Sequence, residues 1–180
     1  MKAIRTMEPL RDKKDIEAMK NLMPTIRDKV MFSLGINTGL RISDLVTLRC
    51  ADFKTDTIEI REKKTGKIKA FKLNPAIASM VQDYINLYPR EWLLPSRRHG
   101  CHLSERQALD IIKAAAEKLG LEHIGTHTLR KTFGYQAWKK GISLAYIMEA
   151  MNHSSIKITK RYLGITQDEL NDELYTEMSL

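Results

Sequence analysis

Apolar residues recur at helical spacing through most of the chain and alternate with polar residues in one short region. Recurrence every three or four residues is typical of helices that bury one face. It predicts helices over residues 12–22, 24–38, 74–88, 104–119, 127–140, 143–151 and 155–162. Alternation through Ile58 and Ile60 predicts a strand over 57–61, joined to a second strand over 67–73 by a Gly-containing hairpin loop. The pattern therefore predicts an α+β fold that is mainly α, with one small antiparallel hairpin.

Capping residues mark the ends of the predicted helices. Asp12 suits the N-cap of the first helix, and Pro24 suits the first position of the second, where its missing N–H has no helical partner. Gly39 is expected to end that second helix. Thr166 and Glu169 predict a capping box for an acidic C-terminal helix. One stripe of that helix is apolar: Leu170, Leu174 and Met178.

The composition is that of a soluble globular protein. Of the 180 residues, 43% are apolar and 29% are charged, and no apolar run approaches the roughly 18 residues that a membrane span needs. Two cysteines, Cys50 and Cys101, are too few for a disulfide framework. We therefore expect a cytoplasmic protein with a lead-in segment (1–11), one main domain (12–165) and a C-terminal helix or tail (166–180).

The charge indicates a polyanionic partner. The formal net charge is +8 and the isoelectric point is near 9.5. All five charged residues after position 165 are acidic, so residues 1–165 hold 30 Lys and Arg against 17 Asp and Glu, a net charge of +13. Nucleic acid is the commonest polyanion that such a basic domain binds.

Several polar side chains have the chemistry of phosphodiester cleavage. Leu129, Phe133 and Trp138 take the inward positions of the helix over 127–140, which leaves His127 and Arg130 to share a face. Arginine grips non-bridging phosphate oxygens with its planar fork, and histidine moves protons near neutral pH. A phenol nearby is then a candidate nucleophile. Singly, each such residue also has a structural explanation, as a surface charge, a packing aromatic or a satisfied core histidine.

Together these residues form an ordered pattern: Arg41 within TGLRISDL, Lys64 on the hairpin, His127-x-x-Arg130, His153, and Tyr162 nine residues later. The pattern resembles the catalytic domain of the tyrosine recombinase (phage integrase) family, whose active site is similar to that of type IB topoisomerases. The resemblance covers about residues 12 to 175 and implies the integrase-type fold, with 12–165 as the catalytic domain. It implies a site-specific recombinase that cuts and rejoins DNA through a 3′-phosphotyrosine, with no metal or other cofactor.

The resemblance assigns a role to each residue of the pattern. Arg41 and Arg130 would hold the two non-bridging oxygens of the scissile phosphate and stabilise the charge of the transition state. Tyr162 would attack the phosphorus, and His127 would accept its proton. His153 would donate a hydrogen bond to the phosphate.

The general acid and the supporting carboxylate are less sharply defined. Lys64 would protonate the departing 5′ oxygen, because family members place this lysine just before a Thr-Gly-like turn. Lys63 and Lys67 lie on the same predicted hairpin tip, and the choice among the three lysines stays open. Asp44, three residues after Arg41, would be a supporting carboxylate that fixes the guanidinium or the fold around it.

The resemblance also implies partners and shows departures from the family. The expected partner is double-stranded DNA, with tetrameric self-association on DNA through the C-terminal helix and a nucleoid location when bound. Many members have Gly before the second histidine; here it is Asn152, which tolerates the left-handed conformation. Members usually carry an N-terminal DNA-binding domain, whereas only about eleven residues precede the first helix here. We expect a minimal recombinase; a fragment or decayed relative is the alternative.

Three other interpretations stay open at this point. A non-catalytic DNA-binding protein, such as an accessory factor or regulator, would retain the fold and the charge. A helix-turn-helix repressor built from residues 125–162 fits the charge but leaves Arg41 and Lys64 unexplained. The run His99-Gly-Cys101-His102 has three metal-ligating side chains but lacks a fourth at the usual spacing, so a solvated loop is favoured.

Overall fold

The structure, a computed structural model, describes residues 6–175 and has the predicted mainly helical architecture. The helices are α1 (Lys13–Asn21), α2 (Ile26–Thr38), α3 (Ile42–Leu45), α4 (Pro75–Leu87), α5 (Glu105–Lys118), α6 (Thr126–Lys139), α7 (Leu144–Ala150), α8 (Ile156–Leu163) and α9 (Gln167–Tyr175). A 3₁₀ turn (Cys50–Phe53) precedes strands β1 (Thr57–Arg61) and β2 (Ile68–Lys72). The expected α+β class with one hairpin is confirmed. Within the described residues, no helix is long and apolar enough to cross a membrane.

Caps set the helix boundaries, and one predicted boundary is wrong. The side chain of Asp12 accepts the N–H of Lys14 at 2.8 Å and starts α1 as expected. Helix α2 begins at Ile26 and not at Pro24, because the hydroxyl of Thr25 accepts the Asp28 N–H and makes Thr25 the N-cap. Gly39 ends α2 in the left-handed conformation, with φ of +61°.

The hairpin pairs its strands in simple antiparallel register. Thr57 lies opposite Lys72, and Arg61 lies opposite Ile68. Ile58 is buried beneath the strands, and the alternation continues through Ile60. The next position on that inward face, two residues further along, is a glutamate in the hairpin loop.

Helix α6 joins the two apolar clusters of the domain. Leu129 lies in the larger cluster, formed mainly by α1, α2, α4 and α5, and Trp138 lies in the smaller one with Leu163 of α8. The side chain of Leu129 packs directly on the backbone of α2, since a Cβ on Gly35 would lie 2.6 Å from a methyl of Leu129. Leu129 and Trp138 face inward as predicted, which places the first turn of α6 beside the end of α2.

The chain before α1 and after α8 is tied to the domain. The backbone N–H of Leu10 donates to the hydroxyl of Thr132 at 2.9 Å, and Leu10 is buried. Arg11 donates to the carbonyl oxygen of Gly164 at 2.7 Å and pairs with Glu169. The predicted division into lead-in, main domain and tail stays a prediction, but the described ends of the chain pack on the same body.

The acidic C-terminal helix begins as predicted. Glu169 accepts the backbone N–H of Thr166 at 2.9 Å, and the Thr166 hydroxyl accepts that of Glu169 at 3.1 Å, which completes the capping box. Leu170 packs against the smaller apolar cluster. The side chain of Leu174 and the whole of Met178, which complete the predicted stripe, lie outside what the structure describes.

Candidate active site

The predicted site residues come from five separate elements: Arg41 is the N-cap of α3, Lys64 lies in the hairpin loop, His127 and Arg130 lie at the start of α6, His153 follows α7, and Tyr162 lies near the end of α8. Contacts and charge effects link these elements to one another around Tyr162. The turn before His153 has Asn152 at φ +51°, so the predicted left-handed asparagine is confirmed. The sequence pattern therefore folds into one cluster.

Tyr162 lies between two imidazole rings. Its hydroxyl is 3.2 Å from Nδ1 of His127, within hydrogen-bonding distance. On another side, the ring of His153 meets the phenol edge-on, with centroids 5.0 Å apart. Nδ1 of His153 contacts the Thr159 hydroxyl at 3.2 Å, so Nε2 is the nitrogen that remains for a substrate.

The electrostatics of this pair keep the phenol protonated and the imidazole neutral, the states that exist before a proton transfer. Burial lowers the pKa of His127 below its usual value, and the charges of Arg130, Lys131 and Lys64 lower it further, so the ring is neutral at pH 7. Burial raises the pKa of Tyr162, although the arginines oppose the shift. The phenol is thus protonated and has an uncharged base at hydrogen-bonding distance.

Arg130 is a buried connector as well as a predicted phosphate ligand. It is 3% exposed, and its two terminal nitrogens donate to the carbonyl oxygens of Gly39 and Met151. These carbonyls belong to the turns that lead to Arg41 and to His153. A guanidinium has five N–H donors, so the two carbonyl bonds leave donors for a phosphate.

Arg41 is held by a carboxylate that sequence analysis did not identify. Its Nη1 lies 2.7 Å from Oε1 of Glu62, and the Glu62 side chain is almost completely buried. The signal was present in the strand pattern, because Glu62 continues the inward alternation of Ile58 and Ile60.

Asp44, the predicted supporting carboxylate, supports the hairpin. Its Oδ1 accepts the backbone N–H of Lys63 at 2.9 Å, and it is buried. Its Oδ2 is buried without a hydrogen-bond partner among the described residues. The sequence predicts that Asp44 fixes either the Arg41 guanidinium or the fold around it. Its contacts are with the surrounding fold, and the guanidinium is contacted by Glu62 instead.

The three hairpin lysines differ in their surroundings. Lys67 donates to Oδ1 of Asn152 at 3.1 Å, and Lys63 is anchored through its backbone. Lys64 is exposed, and of the three lysines it is the one whose charge lowers the pKa of His127. The choice of Lys64 among the three stays a prediction.

Lys131 is a further lysine at the site, one that the sequence pattern does not single out. Nζ of Lys131 lies 5.0 Å from the centre of the Tyr162 ring, and Lys131 is buried. An ammonium at this distance from a phenol ring is attracted to the ring face. No sequence signal distinguished it, because residue i+1 of a helix points about 100° away from its neighbour Arg130.

The loop around His102 shows no grouping suited to a metal ion. His102 packs edge-on against Trp92, with ring centroids 5.0 Å apart, and its Nδ1 lies 2.7 Å from the carbonyl oxygen of Leu103. Across residues 6–175, no three His, Cys, Asp or Glu side chains are grouped to hold a metal.

Comparison with known sequences identifies related proteins. The model of the phage integrase family matches residues 11–169. Probable integrase/recombinase YoeC of Bacillus subtilis (strain 168) is 37% identical over 166 residues, which cover 90% of this chain and 92% of that protein. Tyrosine recombinase XerC of Roseiflexus castenholzii is 28% identical over 153 residues, which cover 79% of this chain and 49% of that protein. This chain therefore spans nearly the whole of the Bacillus relative but about half of the Roseiflexus one.

Solved structures share the fold. The crystal structure of XerA recombinase superposes with a TM-score of 0.79 at 18% identity, covering 96% of this chain and 66% of that one. A post-cleavage complex of XerH site-specific recombinase with a palindromic difH substrate gives 0.73 at 20% identity, covering 97% and 54%. Lambda integrase bound to DNA gives 0.73 at 17% identity, covering 100% and 66%. At these identities the likeness establishes the architecture.

Proposed function

This chain belongs to the phage integrase family, and from that premise we propose that it is a site-specific recombinase that cuts and rejoins DNA through a 3′-phosphotyrosine at Tyr162. The observation that carries the proposal is the 3.2 Å contact between the Tyr162 hydroxyl and Nδ1 of a neutral His127. A nucleophile with its base in hydrogen-bonding distance is the arrangement that covalent catalysis requires.

In the cleavage step, the Tyr162 oxygen attacks the scissile phosphorus and its proton passes to Nδ1 of His127. The bond from phosphorus to the 5′ oxygen breaks, and Lys64 supplies the proton that this oxygen needs to leave as a hydroxyl. The DNA 3′ phosphate is then esterified to Tyr162. Rejoining reverses these steps with a 5′ hydroxyl as the nucleophile, so no external energy source is needed.

Two arginines would stabilise the pentacoordinate transition state. Arg41 and the free donors of Arg130 would bind the non-bridging oxygens, and Nε2 of His153 would donate a further hydrogen bond. Preorganised donors of this kind are among the largest contributors to catalysis, at about 10²–10³-fold per donor. Each arginine is already oriented by the protein, through Glu62 for Arg41 and through backbone carbonyls for Arg130.

Double-stranded DNA is the proposed substrate and partner. Residues 1–165 carry a net charge of +13, which suits the phosphate backbone. Among the structural neighbours, XerH and lambda integrase were solved bound to DNA. Because the proposed substrate is DNA, we also propose that the protein acts in the cytoplasm, at the nucleoid.

Self-association on DNA through α9 is part of the proposal. A lambda integrase dimer on a core site is among the structural neighbours. Here Leu170 and Glu169 hold the start of α9 on its own domain, so exchange between protomers would involve the chain beyond them. Analytical ultracentrifugation of DNA complexes measures the assembly: the proposal requires species with more than one protomer per site, up to a tetramer.

The proposed function is tested by incubation with DNA from the protein's genomic context, trapping with detergent, and mapping of covalently blocked ends. A nicked duplex that carries the mapped site, from which the cleaved strand diffuses away, then serves as a suicide substrate for kinetics. A non-catalytic DNA-binding protein that retained the fold would bind DNA without forming any covalent adduct.

Replacement of Lys64 by Ala is expected to slow cleavage by about 10²–10⁴-fold, because the leaving 5′ oxygen loses its proton donor. A suicide substrate with a 5′-bridging phosphorothiolate should restore most of the rate, since sulfur leaves without a proton. Lys63→Ala and Lys67→Ala are the matched controls on the same hairpin. If one of these variants shows the rescue and Lys64→Ala does not, the general acid has been assigned to the wrong lysine.

Adduct formation is expected to persist below the usual pKa of histidine. His127 must be neutral to accept the phenol proton, and burial with Arg130, Lys131, Lys64 and Arg41 lowers its pKa below 6.5. The neutral form therefore survives to lower pH, and the rate should fall only below that value. Single-turnover rates on the suicide substrate from about pH 5 to 8 measure this fall in rate, the acid limb of the pH profile.

The charge on Lys131 provides the control for this pH profile. Lys131→Met removes one cation that lowers the His127 pKa, so the acid limb should move to higher pH. A wild-type limb centred above 6.5, or a limb that moves to lower pH in Lys131→Met, would contradict the assignment of His127 as the base.

A further inference from the structure

Glu62 is a buried carboxylate that contacts three elements of the candidate active site. Its side chain is 3% exposed. Oε1 accepts from Nη1 of Arg41 at 2.7 Å, and Oε2 accepts from the Thr65 hydroxyl at 2.6 Å and from Nδ2 of Asn152 at 3.3 Å. Burial of an anion is costly unless it is paired and hydrogen-bonded, and here both conditions are met.

Each partner of Glu62 is a proposed catalytic residue or its neighbour in sequence. Arg41 is the proposed phosphate ligand, Thr65 follows Lys64 on the hairpin, and Asn152 precedes His153. The backbone of Glu62 adds to the link, because its carbonyl oxygen accepts the Gly66 N–H at 2.8 Å and closes the hairpin loop. One side chain thus connects groups that lie far apart in sequence.

We propose that Glu62 is a positioning residue for DNA cleavage, in which a single carboxylate fixes the Arg41 guanidinium, the hairpin tip with Lys64 and the turn with His153 in one arrangement. This inference rests on the recombinase function proposed above. Glu62 itself contacts neither the nucleophile nor its base among the described residues, and it acts through the groups that it holds.

The negative charge of Glu62 is essential to this role. Burial raises its pKa, but the Thr65 hydrogen bond, the Arg41 charge and the Asn152 hydrogen bond together outweigh burial and lower it, so Glu62 is ionised at neutral pH. A guanidinium–carboxylate bond is stronger and better oriented than one to a neutral amide. Two of the three contacts share Oε2, so a change there affects the hairpin and the His153 turn together.

Glu62→Gln is the decisive variant, since it keeps the size and shape of the side chain and removes the charge. We expect single-turnover cleavage of the suicide substrate to slow by about 10–100-fold, the range for outer-shell partners and for small displacements of reacting groups. DNA affinity and melting temperature should stay near those of the wild type. Glu59→Gln is the matched control, on strand β1 just before Glu62 but exposed, and should cleave at the wild-type rate.

The phosphorothiolate substrate distinguishes positioning from a general loss of structure. If Glu62 places Lys64, a 5′ sulfur should restore part of the Glu62→Gln rate, because the misplaced lysine is no longer needed. Thr65→Val removes the hairpin contact of Glu62, together with the bond from the Lys67 N–H to the Thr65 hydroxyl, and keeps the Glu62 contacts with Arg41 and Asn152. It should show a smaller loss with fuller rescue. If Glu62→Gln fails to fold, Thr65→Val still tests whether Glu62 positions the hairpin that carries Lys64.

The outcomes separate this inference from the function on which it rests. No adduct with the wild-type protein would overturn the recombinase function itself. A wild-type adduct with Glu62→Gln at an undiminished rate would overturn the role of Glu62 and leave the function standing. Slow cleavage by Glu62→Gln and Thr65→Val that the phosphorothiolate does not improve would overturn the claim that Glu62 positions the hairpin.

Discussion

Replacement of Tyr162 by Phe is expected to abolish the covalent protein–DNA adduct while DNA affinity stays unchanged. The variant removes one oxygen, the proposed nucleophile, and retains the ring that packs beside His153 and beneath Lys131. Denaturing gels on the suicide substrate measure the adduct, and fluorescence anisotropy on an intact duplex measures binding.

Tyr146→Phe is the control for this experiment. Tyr146 lies on α7 with 70% of its surface exposed, so loss of its hydroxyl should change neither adduct formation nor binding. An adduct that persists in Tyr162→Phe would show that another residue is the nucleophile. Loss of DNA binding together with the adduct would show that the phenol hydroxyl serves binding.

Arg41→Ala is expected to reduce cleavage by about 10²–10³-fold, because developing charge on the phosphate loses a preorganised donor. The loss should exceed that of a simple deletion, since Glu62 would remain as a buried anion beside the phosphate site. Single-turnover rates measure this effect. Arg41→Lys, which keeps the charge but not the planar fork, should fall between wild type and Arg41→Ala.

A double variant of Arg41 and Glu62 tests whether the unpaired Glu62 charge contributes to the effects of Arg41→Ala. Arg41→Ala alone should destabilise the fold by about 1–3 kcal/mol, the cost of an unpaired buried group. The double variant with Glu62→Gln should recover part of that stability, and of the cleavage loss only the part that the unpaired Glu62 charge causes. Cleavage by Arg41→Ala at the wild-type rate would contradict the assigned role. Arg130→Ala is a less informative test, because Arg130 also holds two turns through backbone carbonyls.

Much of the fold was predictable because local chemistry fixes it. Asp12, Gly39 and the Thr166–Glu169 box set helix ends through contacts within a few residues, and alternation fixed the strands. The start of α2 was misplaced at Pro24 because two local signals competed, and the Thr25 hydroxyl bond decided the outcome.

The site was predictable in its members but not in its supporting contacts. The ordered pattern named Tyr162 and His127, which the structure brings to 3.2 Å. The partner of Arg41 could not be derived from nearby residues, since Glu62 lies 21 positions away and reaches it only when the hairpin packs on α3. The contact of Lys131 with the Tyr162 ring could not be predicted from sequence either, because it depends on how α6 and α8 cross.

In the proposed reaction, Tyr162 becomes joined to a DNA 3′ phosphate without help from a metal ion. The most direct measurement is mass spectrometry of the adduct formed on the suicide substrate in EDTA, after digestion with trypsin and nuclease. Cleavage after Arg161 yields a peptide with two tyrosines, Tyr162 and Tyr175, and fragmentation distinguishes them. We expect a 3′-phosphonucleotide on Tyr162 and a free 5′ hydroxyl on the released strand. Attachment to any other residue, attachment through a 5′ phosphate, or an adduct that EDTA prevents would contradict this mechanism.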